Sequence, residues 1–426
     1  MNRNVYDILL ERGFIYQCTD ETAAREHLAE PGKAFYIGYD PTADSFHVGS
    51  MVPILAMVHL QRAGHRPIAL LGSGTCMVGD PSGRTEMRQL LSCEKIGENA
   101  VGLRAQLERF LDFADGRALL LNNAEWLMPI NYIEFLREIG RHFSINRMLT
   151  AESVKQRLET GLSFLEFNYP LLQAYDFYVL ARDRQCLVQM GGQDQWGNIV
   201  AGVELVRKKL NAAALGLTFP LLMNSSGQKF GKSAAGNVWL DAARTPVFDF
   251  YQFWRNVEDA DVRKLLGLFT FLPMDEVGRL SALQPPLLNR AKEILAWEVT
   301  RQVHGKENAD ASYHSAVRQF GCSDPDGAVE TSSGIPRTGD AGSDTLPSTP
   351  VERARLAAGL DLCAVLVESG LVPSKAEVRR LVQQGGLTVG GRRIEALPCV
   401  LGAADFTEGS ALVKIGKKRF HRLTLA

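Results

Sequence analysis

No apolar run in this 426-residue sequence is long enough to cross a bilayer as a helix, and none at its start resembles a secretory signal. The opening, MNRNVYDILLERGFI, reads instead as an amphipathic helix of a folded domain. Cysteine is sparse and scattered, at 18, 76, 93, 186, 322, 363 and 399, odd in number and nowhere in a C-x-x-C pair. That argues against a disulfide framework and a zinc site and favours a reducing compartment, so a cytoplasmic protein is expected. An excess of one charge is also missing. The net charge of −1 gives no overall sign of a polyanion partner.

Two glycines are absent where common nucleotide loops need them. In LLGSGTCMVGDPSGR (70–84), Met77 stands where a dinucleotide fingerprint requires its third glycine. In SGQKFGKS (226–233), Ser226 replaces the first glycine of a P-loop. The following AAGNVWLD is too broken by glycine to be the helix that a P-loop opens, and the segment follows the strand series instead of starting it. Both readings are excluded. Lys229 and Lys232 nevertheless sit on a small-residue loop from which they could swing onto a polyphosphate.

What is present is a soluble globular composition, 46% hydrophobic and 22% charged, in a chain long enough for two or three domains. Up to about residue 235, apolar runs at 34–39, 66–72, 118–123 and 186–191 alternate with helical patterns. This predicts an α/β, doubly wound, Rossmann-like parallel sheet, with ligands at the carboxyl ends of its strands. Residues 236–320 read as a helical domain. Residues 321–350 hold five Gly, four Pro and five acidic residues against one Arg, and read as a linker. Residues 351–426 carry twelve Lys and Arg against seven Asp and Glu, a surplus of five that leaves the first 350 residues at −6. A small basic domain on an acidic body points to an RNA or DNA partner.

Four stretches carry candidate chemistry. In YIGYDPTADSFHVGS (36–50), a strand ends and a helix is expected to begin near Gly49, with Ser50 as N-cap and Thr42 and His47 beside exposed N–H groups that suit phosphate. Asp80 lies in a Gly-Asp-Pro-Ser-Gly turn, fit for a ligand ammonium or simply for the turn. In NYPLLQAYDFYVL (168–180), with Asn168 as cap, Tyr169, Gln173 and Asp176 fall on one face of an otherwise apolar helix. A buried polar stripe must be satisfied by protein groups or by a polar ligand. MGGQDQWGN (190–198) places Asp194 and Gln195 between a strand and a helix, suited to ribose hydroxyls or to helix capping.

Together DPTADSFHVGS, GDPSG, LLQAYDF, GGQDQWGN and KFGKS, in that order, resemble the bacterial-type tyrosyl-tRNA synthetases, class I aminoacyl-tRNA synthetases, with the HIGH and KMSKS signatures at 47–50 and 229–233. GLVPSKAEVRRLVQQGGLTVGG (370–391) resembles the small α+β S4 RNA-binding module expected at the carboxyl end. The resemblance implies activation of L-tyrosine by ATP with Mg2+, transfer to tRNA(Tyr), no resident cofactor and a homodimer, with 130–149 as part of its interface. It implies phosphate contacts from Thr42, His47, Lys229, Lys232, Arg84 and Arg88, and ATP contacts from Gly38, Asp40, Gly49, Ser50, Gly192, Asp194 and Ser233. Tyr36 and Asp176 would bind the phenol hydroxyl, Asp80, Tyr169 and Gln173 the ammonium, and Gln195 the aminoacyl pocket. Ser374, Lys375, Arg379, Arg380, Lys417, Lys418 and Arg419 would meet RNA phosphates. Two departures, Ser50 for the second histidine and Ile37 for a ribose-contacting cysteine, imply weaker ATP binding than a Ser50→His chain would have.

Overall fold

The computed structural model describes residues 3–82, 91–151, 154–155, 161–233, 236–321, 323–324, 326–336, 348–357, 359–407, 409–416 and 419–425. For Lys232, Ser233, Ala357, Arg419 and Phe420 it describes the backbone only. The chain divides into two compact units, residues 1–241 with 258–282, and 242–257 with 283–426. The helical stretch expected as one block over 236–320 is therefore shared between them.

Strands that are apolar at nearly every position need cover on both faces, and the first unit supplies it. Its sheet has six strands: β1 (Gln17–Cys18), β2 (Ala34–Tyr39), β3 (Arg66–Leu71), β4 (Leu119–Asn122), β5 (Val188–Gly192) and β6 (Leu215–Phe219). Their spatial order is β1-β6-β5-β2-β3-β4, parallel except for β1, which runs antiparallel to β6. From β2 the chain winds outward through β3 to β4, then returns to the other side of β2 for β5 and β6. The winding reverses between β2 and β5, and sheets of this kind bind ligands beyond the carboxyl ends of the strands at such a reversal. Four of the six strands follow the apolar runs. β1 is too short to carry a period, and β6 lies in TFPLLMN and the residues before it.

The helix Met51–Arg62 is buried over most of its length and follows a 3-10 turn, Val48–Ser50. Ser50 occupies the position before it but makes no side-chain cap. His47 does the capping, its ring nitrogen Nδ1 accepting from the Gly49 amide at 3.0 Å. Asn168 also fails as a cap. Its side chain turns back to donate to the Phe164 carbonyl, ending the short helix Phe164–Phe167 before the helix Tyr169–Arg184 begins. From the amino-terminal helix Val5–Arg12, buried Arg12 donates to the carbonyls of Gly267, Thr270 and Leu272 at 3.1, 2.8 and 2.6 Å. It thereby satisfies one carbonyl in the last turn of the helix Val262–Phe269 and two in the chain just after it.

In the second unit, the helices Val247–Arg255, Leu288–His304 and Lys306–Phe320 pack around Trp254, Trp297 and Tyr313. The linker reading fails for the described part of 323–336. Val329 and Ile335 are buried, Gly334 lies against the Trp297 ring, and Ser323 and Ser333 donate to the buried carboxylates of Glu293 and Glu298 at 2.6 and 2.7 Å. Two apolar anchors and hydroxyls that satisfy buried charge hold this segment in place despite its composition. Beyond it, Ser348–Val351 joins the carboxyl-terminal sheet as an edge strand parallel to Arg419–Leu425, so the end of the expected linker is also ordered. That small α+β module surrounds an apolar core that includes Leu366, Val378, Leu387, Val389 and Val413.

Candidate active site

The strand tips beside this reversal carry most of the candidate residues. Tyr36 and Gly38 lie on β2, two residues apart and so on one face of the strand. Gly38 is exposed although it lies in a central strand, and an added Cβ there would meet nothing within 4 Å. The backbone is bare at that point, which leaves room for a ligand to lie across it.

Asp176, on Tyr169–Arg184, is only 2% exposed. Its Oδ1 accepts from Trp126 Nε1 at 2.7 Å and its Oδ2 from Asn123 Nδ2 at 3.0 Å. Burial pushes its carboxyl up to about 7, against the opposing effect of the two donors, and the charge of Asp40 adds to the rise. Tyr36, 1% exposed, stacks at a tilt on Phe177, and its hydroxyl has no hydrogen-bond partner. Burial, then the charge of Asp176, holds its phenol well above the ordinary value. A buried hydroxyl left unpaired near a buried carboxylate is a costly arrangement that one further polar group would resolve.

A second network lies at the tips of β2, β3 and β5. Asp40 accepts from Thr75 Oγ1 at 2.9 Å and from the Tyr169 hydroxyl at 3.0 Å. Asp80 accepts from the Ser82 amide at 2.9 Å, which closes its turn, and from Gln195 Nε2 at 2.6 Å. Asn198 Nδ2 lies within hydrogen-bond distance of Gln195 Oε1 (3.0 Å) and Gln173 Oε1 (3.1 Å). Gln195 also donates to Asp194 at 3.1 Å. The polar stripe of Tyr169, Gln173 and Asp176 is thus partly satisfied by protein. The Tyr169 oxygen and the Gln173 amide oxygen are both oriented as acceptors. A Cβ on Gly192 would lie 2.5 Å from Asp194 Oδ1 and would force that carboxylate to move.

Among the candidate phosphate-binding residues, Thr42 is exposed in the loop after β2. Because His47 Nδ1 accepts from Gly49, Nε2 is the ring nitrogen that can serve as a donor. A Cβ on Gly49 would lie 2.9 Å from that ring. The segment carrying Lys229 and Lys232 is bound to this one. Val48 N donates to Val238 O and Val238 N to Gly231 O, both at 2.9 Å, and His47 pairs with Trp239 as a β-bridge. Gly231, at φ +93°, packs against Val48 and the Gly49 amide. Lys232–Ser233 pairs with Gly236–Asn237 as a hairpin, the opposite of a P-loop's helix. Lys229 is exposed. Arg84 and Arg88 lie outside the described residues. Ile37 is buried and offers no polar atom.

In the carboxyl-terminal module, Ser374 caps the helix Lys375–Gln383 by accepting from Glu377 N. Lys375, Arg379 and Arg380 are exposed, with Arg380 paired to Glu377. Lys417 and Lys418 lie outside the described residues, and so does the side chain of Arg419.

Residues 30–321 match the family model of tRNA synthetases class I (W and Y). The chain belongs to this family. Residues 340–423 of this class I synthetase match a second model, the tyrosine–tRNA ligase SYY-like C-terminal domain. It is 50% identical over 422 residues to a tyrosine–tRNA ligase of Clostridium beijerinckii, covering 99% of each chain. It is 52% identical over 428 residues to one of Desulfosudis oleivorans, with the same coverage. Among solved structures, a C-terminally truncated mitochondrial tyrosyl-tRNA synthetase of Aspergillus nidulans is similar at TM-score 0.68 and 31% identity, over 75% of this chain and 95% of that one.

Asn123, Trp126, Thr75 and Asn198 are the site residues that the motif reading missed. Asn123 directly follows β4, so the rule that ligands gather at strand tips would have found it. Trp126 carries no such signal, because only the fold brings it to Asp176.

Proposed function

We propose that this synthetase works through the cleft at the β2/β5 reversal. The chain is a tyrosine–tRNA ligase: it activates L-tyrosine with ATP, forming tyrosyl-adenylate and pyrophosphate, then transfers the tyrosyl group to tRNA(Tyr). The observation that carries the site assignment is the unpaired buried hydroxyl of Tyr36 near Asp176, which a substrate phenol hydroxyl would complete. Phenylalanine would leave the Tyr36 hydroxyl unpaired, and discrimination follows from that loss.

Asp80, the Tyr169 oxygen and Gln173 Oε1 offer acceptors to the substrate ammonium, with Asp40 adding negative charge nearby. Gln195 and Asn198 fix their orientation. Held there, the tyrosine carboxylate oxygen attacks the α-phosphorus of ATP, which enters with Mg2+, and the bond to the bridging oxygen breaks to release pyrophosphate. Gly38 and Gly192 let the nucleotide lie against bare backbone, with Gly49, Ser50, Asp194 and Ser233 beside it. Thr42 and His47 Nε2–H donate to the departing phosphates, while Lys229 and Lys232, aided by Arg84 and Arg88, neutralise the charge that develops. None of these groups forms a covalent bond to substrate. They act by binding the transition state more tightly than the ground state. A ribose hydroxyl at the tRNA 3′ end then attacks the adenylate carbonyl carbon and AMP leaves.

Ser374, Lys375, Arg379, Arg380, Lys417, Lys418 and Arg419 are proposed to meet tRNA phosphates, which fits the basic surplus of the module. A homodimer is proposed from Met128, Tyr132, Ile133, Leu136, Ile145, Leu149, all exposed large apolar side chains within one short stretch. Light scattering should give about twice the chain mass of 46.9 kDa, and a value at the chain mass refutes the dimer. No helix of the described residues is long and apolar enough to cross a membrane.

The test of the pocket is Tyr36→Phe. Tyrosine binding should weaken while phenylalanine binding improves or holds, narrowing the gap between them. An unchanged ratio of the two dissociation constants places the phenol elsewhere.

A further inference from the structure

The loop bearing Lys229 and Lys232 must approach the phosphates and release them, so what holds its base bears on the rate. Its tip is a tight turn. Asn224 N donates to Gln228 O at 2.9 Å, Gln228 N to Asn224 Oδ1 at 2.7 Å, and Met223 pairs with Lys229 as a β-bridge. On the far side, Gly231 rests against Val48 and Gly49. On the near side, the anchor comes from a segment 36 to 41 residues further along, which the sequence alone assigns to the helical domain.

Asp261 stands at the N-cap position of the helix Val262–Phe269, where an aspartate ordinarily accepts from its own helix's amides. It makes no such cap. Its Oδ2 accepts instead from the backbone amide of Ser225 at 3.0 Å and from Ser225 Oγ at 3.2 Å, and the residue is 7% exposed. One helical turn on, Lys264 Nζ donates to the Met223 carbonyl at 2.7 Å. Two charged side chains of one helix thus grip the backbone on both sides of Asn224, where the turn begins. The helix is itself held at its other end by Arg12.

We propose that Asp261, assisted by Lys264, is a positioning residue for tyrosine activation: through Ser225 and Met223 it fixes the base of the 224–231 loop so that Lys229 and Lys232 close in register on the pyrophosphate. It touches no substrate. The inference rests on the assignment of those two lysines to the departing phosphates. Charge-assisted bonds to a backbone amide hold geometry well, and a loop loosened at its base spends more time away from its productive position. The lysines matter while charge develops on the leaving phosphates and not after pyrophosphate has gone, so the effect should fall on the first chemical step alone.

The test uses the full chain, with single-turnover rates of both steps measured for Asp261→Ala, Asp261→Asn and Ser225→Ala. In Asp261→Ala, adenylate formation at saturating ATP and tyrosine should slow by about tenfold, the scale of one lost charge-assisted hydrogen bond. Tyrosine dissociation and the transfer of preformed tyrosyl-adenylate to tRNA should stay unchanged. Asp261→Asn keeps an oxygen acceptor for the Ser225 amide and should recover most of the rate, while Ser225→Ala, which loses only the hydroxyl bond, should fall between. Equal slowing of both steps, or a fall in thermal stability that accounts for the loss, makes Asp261 merely structural and overturns the proposal. So does an unchanged first step. If Lys229→Ala and Lys232→Ala leave adenylate formation intact, the phosphate assignment fails instead, and the two failures are distinct.

Discussion

Asp176 shows what burial does to a single side chain. Its carboxyl rises from 3.8 to about 7 because water is excluded, although two donors partly offset that. The sign for stability follows by linkage. The unfolded chain releases this proton near the ordinary value and the folded chain only near 7, so the folded state binds more protons in between. The group's contribution to stability is therefore full below the ordinary carboxyl range, is lost as pH rises from 3.8 to about 7, and is flat above that. Relative to Asp176→Asn, the unliganded protein should lose melting temperature between pH 5 and pH 8, and a constant difference over that window contradicts the account. Asp176 itself was legible in the sequence, since a carboxylate in an apolar helix at the spacing of Tyr169 and Gln173 demands a partner. Its actual partners, Asn123 and Trp126, lie about fifty residues away, a distance that no local pattern spans.

At the scale of elements, close approach at the strand tips decides the geometry. Gly72 follows β3 directly, and a Cβ there would fall 2.1 Å from Asp40 Oδ1 and 2.6 Å from Thr75 Oγ1. Gly72→Ala must therefore push the Asp40 carboxylate off Thr75 and the Tyr169 hydroxyl. The proposed ammonium acceptors would lose their orientation, and the KM for tyrosine should rise by about tenfold with a smaller change in the KM for ATP. Steady-state exchange kinetics decide this, and an unaltered tyrosine KM would show that Asp40 does not organise the acceptors. The strands of this sheet were readable because both faces are covered and the runs are apolar. The two expected caps were not, because Ser50 already has helical backbone at the end of the 3-10 turn and the Asn168 side chain is spent donating to the Phe164 carbonyl. Composition likewise misled over 323–336, where the buried Glu293 and Glu298 carboxylates recruit serines that a count of polar residues reads as loop.

For the whole molecule, the order of the signature stretches along the chain becomes a meeting in space. HVGS and KFGK, some 180 residues apart, share hydrogen bonds through Val238 and a packing contact at Gly231. Sequence order shows that both are present, whereas only folding shows that they touch. The function proposed here depends, at this scale, on phosphate, ammonium and phenol being held at once. The direct test is pyrophosphate–ATP exchange by the purified chain with tyrosine, tryptophan and phenylalanine offered separately. Exchange should depend on tyrosine and be far slower with the other two, whereas no exchange, or equal exchange with tryptophan, contradicts the cleft described here.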